Sequence, residues 1–441
     1  MLNQKNVLVL GWEFPPRMVG GLAIATYGIV EALSQFLQVH LIIPFKDEQT
    51  PQIPNVQIYG LNQIERDFDV SEIPGLAILL KKRIPFLEST RVYPYPMYDA
   101  IRVENIDKVE DSLTTSHSIE VEENHHGFTS YLDMFKSEEV YGWSLWEKMK
   151  VYNELVGVLA GSIDHDVIHC HDWVTFNAGK TVKGLYGKPL CLHVHALETD
   201  RVGTNVRNEI YEIEHSAMQY ADRVFPVSHY TKEQIVEHYG IAAKKIVPIH
   251  NAIDQKLIQR WKHKIPQRII TFLGRITLQK GPQFLFETAT KVIAQYPNVR
   301  FVIAGKGDQL MQLVNASAKK HLSRYFIFTG FISRQQVDAL LAASDVYFMP
   351  SVSEPFGLTA LEATRAKVPC VLTKQSGVSE VLTSAFKADF WDTDLFAKHI
   401  LSLLKNERLR QQKINEATAE LHQNNWYNAA AKIATEYFSI L

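Results

Sequence analysis

The chain has 441 residues, of which 46% are hydrophobic and 21% charged, and its formal net charge is −2. This length exceeds what one hydrophobic core usually supports, so we expect two domains. The near-neutral charge argues against nucleic acid as the main partner. No apolar stretch approaches the ~20 residues of a membrane span, which leaves only peripheral membrane contact open.

The cysteines and the N-terminus indicate a cytoplasmic protein. Cys170, Cys191 and Cys370 are too few for a disulfide framework, and we interpret them as buried thiols in a reducing compartment. The first residues contain only a short apolar run and no small-residue cleavage site. We therefore interpret them as a first strand rather than a signal peptide.

Strand and helix patterns alternate along the first 250 residues. Residues 7–10 form a continuous apolar run, which is typical of a strand buried on both faces of a parallel sheet. A helical pattern follows Gly20 and Gly21. Further strands are predicted at 39–44, 166–170, 190–194, 223–227 and 245–249. The alternation predicts a doubly wound α/β domain over residues 1–250.

Residues 62–145 interrupt this alternation and are richer in charge, so we interpret them as an insertion into the first domain. Its aromatic residues could stack on sugar rings or belong to a core, and the sequence favours neither interpretation. They are Tyr93, Tyr95, Tyr98, Trp143 and Trp146.

A second α/β series follows linker-like residues at about 251–267. Its strands are predicted at 269–274, 300–304, 325–329, 346–349 and 369–372. We therefore expect a second domain over 251–423 and a terminal helix over 424–441. The predicted fold class is α/β, with two doubly wound Rossmann-like domains that face each other across a cleft.

Two cations follow the first strand of the second series. Arg275 and Lys280 lie at the carboxyl edge of the predicted sheet, which is where open α/β sheets bind ligands. A diphosphate leaving group gains negative charge as its bond to a sugar breaks. Fixed cations stabilise that charge, and removal of one such group typically costs ~10²–10³ in rate. The alternative is a pair of solvated surface cations, but the position after an apolar strand favours a ligand site.

Residues 351–362 carry a second candidate site at the end of a predicted strand. A loop holds Glu354, and a helix is predicted to begin near Gly357, so that the amides of Leu358 and Thr359 would face an anion. Glu354 could hydrogen-bond sugar hydroxyls, and Glu362 could accept hydrogen bonds from a ribose. The alternative is a capping residue and a charge on the helix surface.

Four histidines alternate along two predicted strands, where residues two apart share a face. His169, His171 and His193 could hold zinc, although the cysteines do not have structural-zinc spacing. The simpler interpretation, which we favour over zinc, is that they are core histidines. His195 stands at a strand end, which fits contact with a sugar.

Two Asp-x-Asp patterns, at 164–166 and 392–394, match a common metal-binding motif. Such three-residue patterns recur by chance. Asp166 also starts a predicted strand, far from the carboxyl edge where ligands bind. We therefore predict no metal.

Taken together, these motifs resemble the retaining glycosyltransferases of glycosyltransferase family 4 and the glycogen synthases, which have the GT-B fold. The resemblance covers nearly the whole chain outside about 62–145, and the motifs occur in the family's order. They are 12–16 (WEFPP), 19–22 (VGGL), 169–173 (HCHDW), His195, 227–232 (VSHYTK), 250–254 (HNAID), Arg275 with Lys280, and the E-x7-E element at 354–362.

The resemblance implies a nucleotide-diphosphate sugar as co-substrate and a saccharide or other hydroxyl compound as acceptor, without a cofactor or a metal. The implied catalytic residues are His195, Glu354, Arg275 and Lys280. The implied donor-binding residues are Gly20, Gly21, Arg275, Lys280, Phe356, Gly357, Leu358, Thr359 and Glu362, with Asp172 on the acceptor or sugar side. The first domain would bind the acceptor, the second would bind the nucleotide sugar, and the terminal helix would return to the first domain.

One position departs from the pattern of bacterial glycogen synthases, which carry a lysine two positions before the paired glycines. Here that residue is Met18, beside Arg17. We therefore expect a retaining hexosyltransferase, most simply a glucosyltransferase, rather than a true glycogen synthase. The alternatives on this fold are a lipid-linked sugar transferase, a nucleotide-sugar epimerase and a binding protein without catalysis. The four residues Arg275, Lys280, Glu354 and Glu362 together argue against the last.

Overall fold

The structure is a computed structural model that describes residues 5–18, 20–73, 75–85, 128–131, 133–135, 141, 145–258 and 265–441. Tyr93, Tyr95, Tyr98 and Trp143, named above as candidate stacking residues, lie outside these ranges. None of the helices in the described ranges has the length and apolar character needed to cross a bilayer.

Among the described residues, the first half of the chain contains eight strands. They are β1 (Asn6–Leu10), β2 (Gln38–Ile43), β3 (Val56–Gly60), β4 (Arg83–Pro85), β5 (Phe128–Ser130), β6 (Val167–His171), β7 (Leu190–Val194) and β8 (Arg223–Pro226). Six of them form one parallel sheet in the order β3-β2-β1-β6-β7-β8, and β4 pairs with β5 separately. The helices are α1 (Gly21–Leu33), α2 (Ile64–Asp67), α3 (Leu76–Lys81), α4 (Leu145–Leu159), α5 (Trp173–Tyr186), α6 (Glu198–Val202), α7 (Glu209–Tyr220) and α8 (His229–Tyr239).

The second half repeats this plan. Its strands are β9 (Arg268–Leu273), β10 (Val299–Ala304), β11 (Phe326–Gly330), β12 (Val346–Met349), β13 (Cys370–Thr373) and β14 (Phe386–Ala388). They form a parallel sheet in the order β11-β10-β9-β12-β13-β14. The helices are α9 (Pro282–Gln295), α10 (Leu310–Lys319), α11 (Arg334–Ala343), α12 (Leu358–Arg365), α13 (Val378–Val381), α14 (Thr393–Lys405), α15 (Glu407–Gln423) and α16 (Trp426–Ile440).

The two sheets confirm the predicted α/β class with two doubly wound domains. The apolar runs form the central strands because both faces of each sheet are covered by helices, and residues 7–10 are completely buried. In each sheet the chain winds outward from the first strand in one direction and then in the other. The reversal falls between β1 and β6 in the first sheet and between β9 and β12 in the second. Crevices at such reversals bind ligands at the carboxyl ends of the strands.

The predicted strand at 245–249 is wrong. Residues 243–245 form a single 3₁₀ turn, and Ile246 makes an isolated parallel bridge to Val224. Two backbone hydrogen bonds connect this segment to β8: Val247 N donates to Val224 O, and Ile249 N donates to Pro226 O. The segment is therefore an extended edge rather than a strand of the sheet. Conversely, β3 and the short β14 were not predicted, since neither is a continuous apolar run.

The described part of 62–145 packs against the first domain. Ile64, Leu76 and Met134 belong to the same core as the central strands, and so does Tyr141. Trp146 is half-buried on α4 and lies 5.6 Å from the ring of Trp173. Its contacts support the interpretation of this tryptophan as a core residue.

The last helix lies against the first domain. Ala430, Ile433 and Tyr437 of α16 are buried among the residues of β1, β2 and α1. Arg223 Nε donates to Glu436 Oε2 at 2.8 Å.

Candidate active site

Helix N-termini from the two domains meet at the carboxyl edges of the sheets. Gly21 begins α1, and a Cβ added there would lie 3.1 Å from Leu358 Cδ1 at the start of α12. A hydrogen bond also joins the two domains beside this contact: Ser228 Oγ donates to Pro355 O at 2.7 Å. Because each helix start presents unpaired amide groups, the junction has the polarity of an anion site.

Lys280 and Glu354 are in direct contact at this junction. Lys280 Nζ lies 2.6 Å from Glu354 Oε2, and Ser351 Oγ donates to the same oxygen at 3.1 Å. The two loops that carry these residues are joined by a backbone hydrogen bond from Val352 N to Gln279 O at 2.8 Å. A cation and a carboxylate from the ends of two adjacent strands, β9 and β12, are thus held beside the start of α12.

The start of α12 is shaped by its glycine. Gly357 has φ of +105°, which disfavours residues with a side chain, and an added Cβ would lie 3.1 Å from Val378 and 3.2 Å from Glu354. Since a glycine has no side chain to cap the helix, the amides of Leu358 and Thr359 remain without a side-chain cap. Phe356 is buried and fixes the preceding turn.

Arg275 is half-buried and stands at the beginning of the loop that ends with Lys280. The loop is held against the end of β10 by a hydrogen bond from Ile276 N to Lys306 O at 2.8 Å. The structure therefore places Arg275 at the same sheet edge as Lys280.

Glu362 lies in the second turn of α12 and is nearly buried, with 3% of its surface exposed. Its carboxylate accepts a hydrogen bond from Arg334 Nη1, at the first position of α11. No local sequence pattern indicates this role for Arg334, because its partner lies in another helix.

The four histidines form one stacked cluster on β6 and β7. The ring centroids of His169 and His171 are 4.6 Å apart, and those of His193 and His195 are also 4.6 Å apart. Burial lowers the pKa of each of them, to about 3 for His169 and His195. All four are therefore neutral imidazoles at physiological pH.

The zinc alternative can be compared with this geometry. One ring nitrogen from each of His169, His171 and His193 lies within 4.8 Å of the others. Nitrogen ligands of a tetrahedral zinc are about 3.4 Å apart, given bonds of ~2.0–2.1 Å. The planes of the His171 and His193 rings are only 9° apart, so their in-plane lone pairs run side by side instead of converging. The arrangement fits packed core histidines better than a metal centre.

His195 is the least buried member of this cluster. Its Nε2 lies 3.1 Å from His171 Nδ1, and His171 Nδ1 lies 3.5 Å from Thr26 Oγ1 on α1. The cluster therefore orients the ring of His195 at the end of β7, on the side of the cleft that belongs to the first domain.

Asp172 follows β6 in a strained backbone conformation, with φ of +64° and ψ of 166°. Such a conformation is rare for any residue except glycine, and such outliers cluster at functional sites. Burial raises the pKa of Asp172 to about 6, although Arg201 and backbone amides, among them that of His195, counteract the shift. Asp172 can therefore exchange a proton near neutral pH.

Two polar groups that are not among the predicted site residues support the same region. Glu13 is completely buried, and its carboxylate accepts from Gly20 N at 3.2 Å and from Tyr141 at 2.5 Å. Asp200 of the first domain accepts from Ser353 Oγ at 2.5 Å, directly beside Glu354. A carboxylate within the otherwise apolar 12–16 segment was a usable signal for Glu13.

Glu380 on α13 of the second domain, also not among the predicted site residues, joins the two domains. Its carboxylate accepts from the backbone amides of His229 and Tyr230 at 2.9 and 2.7 Å, which caps α8. It also lies 2.6 Å from His250 Nε2. These contacts hold together helices of opposite domains.

The Asp-x-Asp patterns lie away from the cleft. Asp166 binds Lys5 Nζ and the amide of Asn6 at the amino end of β1, at 2.9 Å each. Asp392 caps α14, and Asp394 pairs with Lys291 at 2.7 Å. Both patterns are explained by caps and ion pairs.

Comparisons with known proteins bear on the whole chain. Residues 113–257 match the family model described as Glycosyltransferase Family 4, and residues 254–420 match the one described as Glycosyl transferases group 1. An uncharacterized glycosyltransferase of Methanocaldococcus jannaschii is 25% identical over 98% of this chain and 97% of that protein. A glycogen synthase of Mycobacterium tuberculosis is 25% identical over 62% of this chain and 69% of that protein.

Solved structures share the fold. Sucrose-phosphate synthase from Thermosynechococcus elongatus superimposes with a TM-score of 0.67 and 15% identity over 99% of both chains. Anabaena HepE, in complex with UDP and glucose, superimposes with a TM-score of 0.64 and 16% identity over 99% of this chain and 100% of that one. The two parallel sheets, the facing helix starts and the two family models lead to one conclusion: the chain is a glycosyltransferase with the GT-B fold.

Proposed function

We propose that the protein is a retaining hexosyltransferase that moves a glucosyl group from a nucleotide-diphosphate sugar to a hydroxyl of a saccharide or a similar acceptor. The observation that carries the proposal is the contact between Lys280 and Glu354 at the start of α12, opposite Gly21 at the start of α1. Support for glucose comes from the relatives, which include a glycogen synthase and, among structures, HepE with UDP-glucose. The buried free thiols support a cytoplasmic location.

In this proposal the donor diphosphate lies between the two helix starts. Gly20 and Gly21 approach it from one side, and the amides of Leu358 and Thr359 approach it from the other. Arg275 and Lys280 stabilise the charge that develops on the leaving diphosphate. Because the cations act on the leaving group, no metal is required.

The transferred sugar lies between Glu354 and His195. The Glu354 carboxylate accepts hydrogen bonds from sugar hydroxyls, and the neutral imidazole of His195 contacts the sugar near the reacting carbon. The bond between that carbon and the phosphate oxygen breaks, and its electron pair goes to the diphosphate. The acceptor hydroxyl attacks from the same face and passes its proton to the departing phosphate oxygen, so the configuration is retained. Asp172 assists on the acceptor side.

A donor panel tests the proposal. UDP-glucose, ADP-glucose, GDP-mannose and UDP-N-acetylglucosamine would be screened for binding by thermal shift and for hydrolysis and transfer. We expect one UDP- or ADP-linked glucose donor to bind and to turn over, with the anomeric configuration of the product, read by NMR, matching that of the donor. If none of the four binds at millimolar concentration, the proposal is wrong.

Replacement of Lys280 separates catalysis from folding. We expect Lys280→Ala to lower turnover by ~10²–10³, because the leaving diphosphate loses a fixed cation. The free energy of unfolding should also fall, by about 3 kcal/mol, because the ion pair is mostly buried and Glu354 loses its cation. Steady-state kinetics and urea unfolding measure the two effects.

The matched control is Lys319→Ala, which removes an exposed lysine at the end of α10 in the same domain. It should alter neither quantity. Unchanged turnover per folded molecule of Lys280→Ala, with the folded fraction taken from the unfolding curve, would contradict the catalytic role.

A further inference from the structure

Arg334 and Glu362 form an ion pair at the carboxyl edge of the second sheet. Arg334 is the first residue of α11, directly after the loop that follows β11, and its Nη1 donates to Glu362 Oε1 on α12. In the described part of the chain, Arg334 is the one residue that hydrogen-bonds this carboxylate. The side chain of Glu362 is 5% exposed, whereas that of Arg334 is 48% exposed.

The pair lies along the direction in which a nucleotide would extend from the diphosphate site. The diphosphate position is at the start of α12, and Glu362 lies one turn further along the same helix. Beyond Glu362 come Arg334 and the loop of the outer strand β11, with Phe331 highly exposed. A nucleoside bound at its diphosphate end by α12 would therefore lie against Glu362 and Arg334.

The ion pair is not needed to hold α11 against α12. Arg365 Nη2 donates to Asp338 Oδ1 at 2.9 Å and already joins these two helices, and the Arg365 side chain is 8% exposed. Arg334 Nη2 lies 3.8 Å from the same Asp338 oxygen, too far for a hydrogen bond. A structural role alone thus leaves the half-exposed position of Arg334 unexplained.

We propose that Arg334 is a positioning residue for the donor nucleoside, which holds the Glu362 carboxylate so that its second oxygen accepts hydrogen bonds from ribose hydroxyls. This inference rests on the proposed function. A carboxylate can accept about four hydrogen bonds, and Arg334 uses one, which leaves Oε2 available. The contact with Arg334 also restricts the rotamers of Glu362 before the nucleotide arrives.

Arg334 should affect donor binding, whereas Arg275 and Lys280 should affect the transfer step. Those residues act on charge that develops at the diphosphate, whereas Arg334 acts on the nucleoside, which does not change during the reaction. Its loss should therefore weaken binding of the donor without slowing the transfer step.

Isothermal titration of the full chain tests the inference. UDP, GDP and ADP are titrated into the wild-type protein, and the tightest of the three is then used with all variants. We expect Arg334→Ala to raise the dissociation constant of that nucleotide about tenfold, as for loss of one charge-assisted hydrogen bond. Binding of inorganic pyrophosphate should stay unchanged, because it has no ribose. Arg334→Lys should recover part of the affinity, and Arg334→Gln should recover none.

A double-mutant comparison distinguishes positioning from an independent effect. If Arg334 acts through Glu362, the double variant Arg334→Ala with Glu362→Ala binds the nucleotide as weakly as Glu362→Ala alone. Additive losses, or an equal loss of pyrophosphate binding, overturn the inference.

The matched control is Arg324→Ala, which removes an exposed arginine before β11, at the opposite end of the same strand. Its nucleotide affinity should equal that of the wild type, although the loss of its contact with Tyr325 slightly lowers the unfolding temperature. If the wild-type protein binds nucleotide and Arg334→Ala binds equally well, the inference alone fails. If the wild-type protein binds neither nucleotide nor pyrophosphate, the proposed function fails first.

Discussion

At the scale of single residues, the first domain contains an unusual density of buried titratable groups. His193 is completely buried, and neither of its ring nitrogens hydrogen-bonds within the described residues. Nearby, burial raises the pKa of Glu214 to about 8, although Arg201 and Tyr239 counteract the shift. Burial favours the neutral form of both groups because water cannot solvate their charge.

The direction of each pKa shift fixes how stability depends on pH. The pKa values of His169 and His195 fall from 6.5 to about 3, so the unfolded chain binds more protons than the folded one between these values. Their contribution to stability is therefore lost as the pH falls through this range. The raised pKa values of Asp172 and Glu214, about 6 and 8, act in the opposite direction. Their contribution is lost as the pH rises through those values.

We expect His193→Leu to make acid unfolding less steep. The variant removes one group that must bind a proton on unfolding, so the slope of unfolding free energy against pH below pH 6.5 should decrease by up to about 1.4 kcal/mol per pH unit. At pH 7 the variant should be at least as stable as the wild type, since an unpaired buried polar ring is lost. Urea unfolding from pH 7 to pH 4 measures both effects, and an unchanged slope would contradict the buried neutral state of His193.

At the scale of elements, the site depends on how closely two loops approach each other. Gly281 has φ of +66°, and an added Cβ would lie 2.2 Å from Pro350 O. Only glycine allows the loop after β9 to reach the loop after β12, and this approach brings Lys280 to Glu354. Gly240, at the end of α8, has φ of +64° but no atom within 4 Å of an added Cβ.

These two glycines make a matched pair for mutation. Both Gly281→Ala and Gly240→Ala carry similar backbone strain of about 1 kcal/mol, because their φ values are nearly the same. Only Gly281→Ala also forces the two loops apart. We expect a further loss of stability and a loss of donor binding in Gly281→Ala alone, measured by thermal unfolding and titration with UDP-glucose. Equal effects of the two changes would show that loop contact does not matter.

Much of this element-level arrangement was predictable. The apolar runs predicted the strands of both sheets except β3 and β14, because a buried parallel strand needs side chains that are apolar on both faces. The position of Lys280 and Glu354 after such strands predicted their place at the sheet edge. The contact of Arg334 with Glu362 was not predictable, since it depends on how α11 crosses α12. The segment 245–249 is apolar enough for a strand, but it lies beyond the edge strand β8 and pairs with it irregularly.

At the scale of the whole molecule, the last helix ties the end of the chain to the first domain. Trp426 of α16 lies so close to α1 that a Cβ added at Gly28 would be 2.3 Å from its ring. The aromatic ring of Tyr437 lies beside His169 on β6. The domains are also connected by Glu380 and by the hydrogen bond between Asp200 and Ser353.

A comparison of Gly28→Ala with Gly184→Ala tests how closely α16 packs on α1. Alanine within a helix is normally more stabilising than glycine, by about 0.5–1 kcal/mol. We expect that gain for Gly184 in α5, where an added Cβ meets nothing within 4 Å. Gly28→Ala should instead lower the unfolding temperature, because α16 must move away from α1. If Gly28→Ala were as stable as Gly184→Ala, the packing of α16 on α1 would be refuted.

The sequence by itself determined the two doubly wound domains. Alternating apolar strands and amphipathic helices favour a parallel sheet covered by helices on both faces, and the chain length requires two such units. The sequence also determined which cations and carboxylates stand at strand ends. Only the tertiary structure decided which of them touch: Lys280 with Glu354, Arg334 with Glu362, and Glu380 with the start of α8. These contacts join residues far apart in the chain, and their distances follow from the packing of helices and domains, which no local pattern encodes.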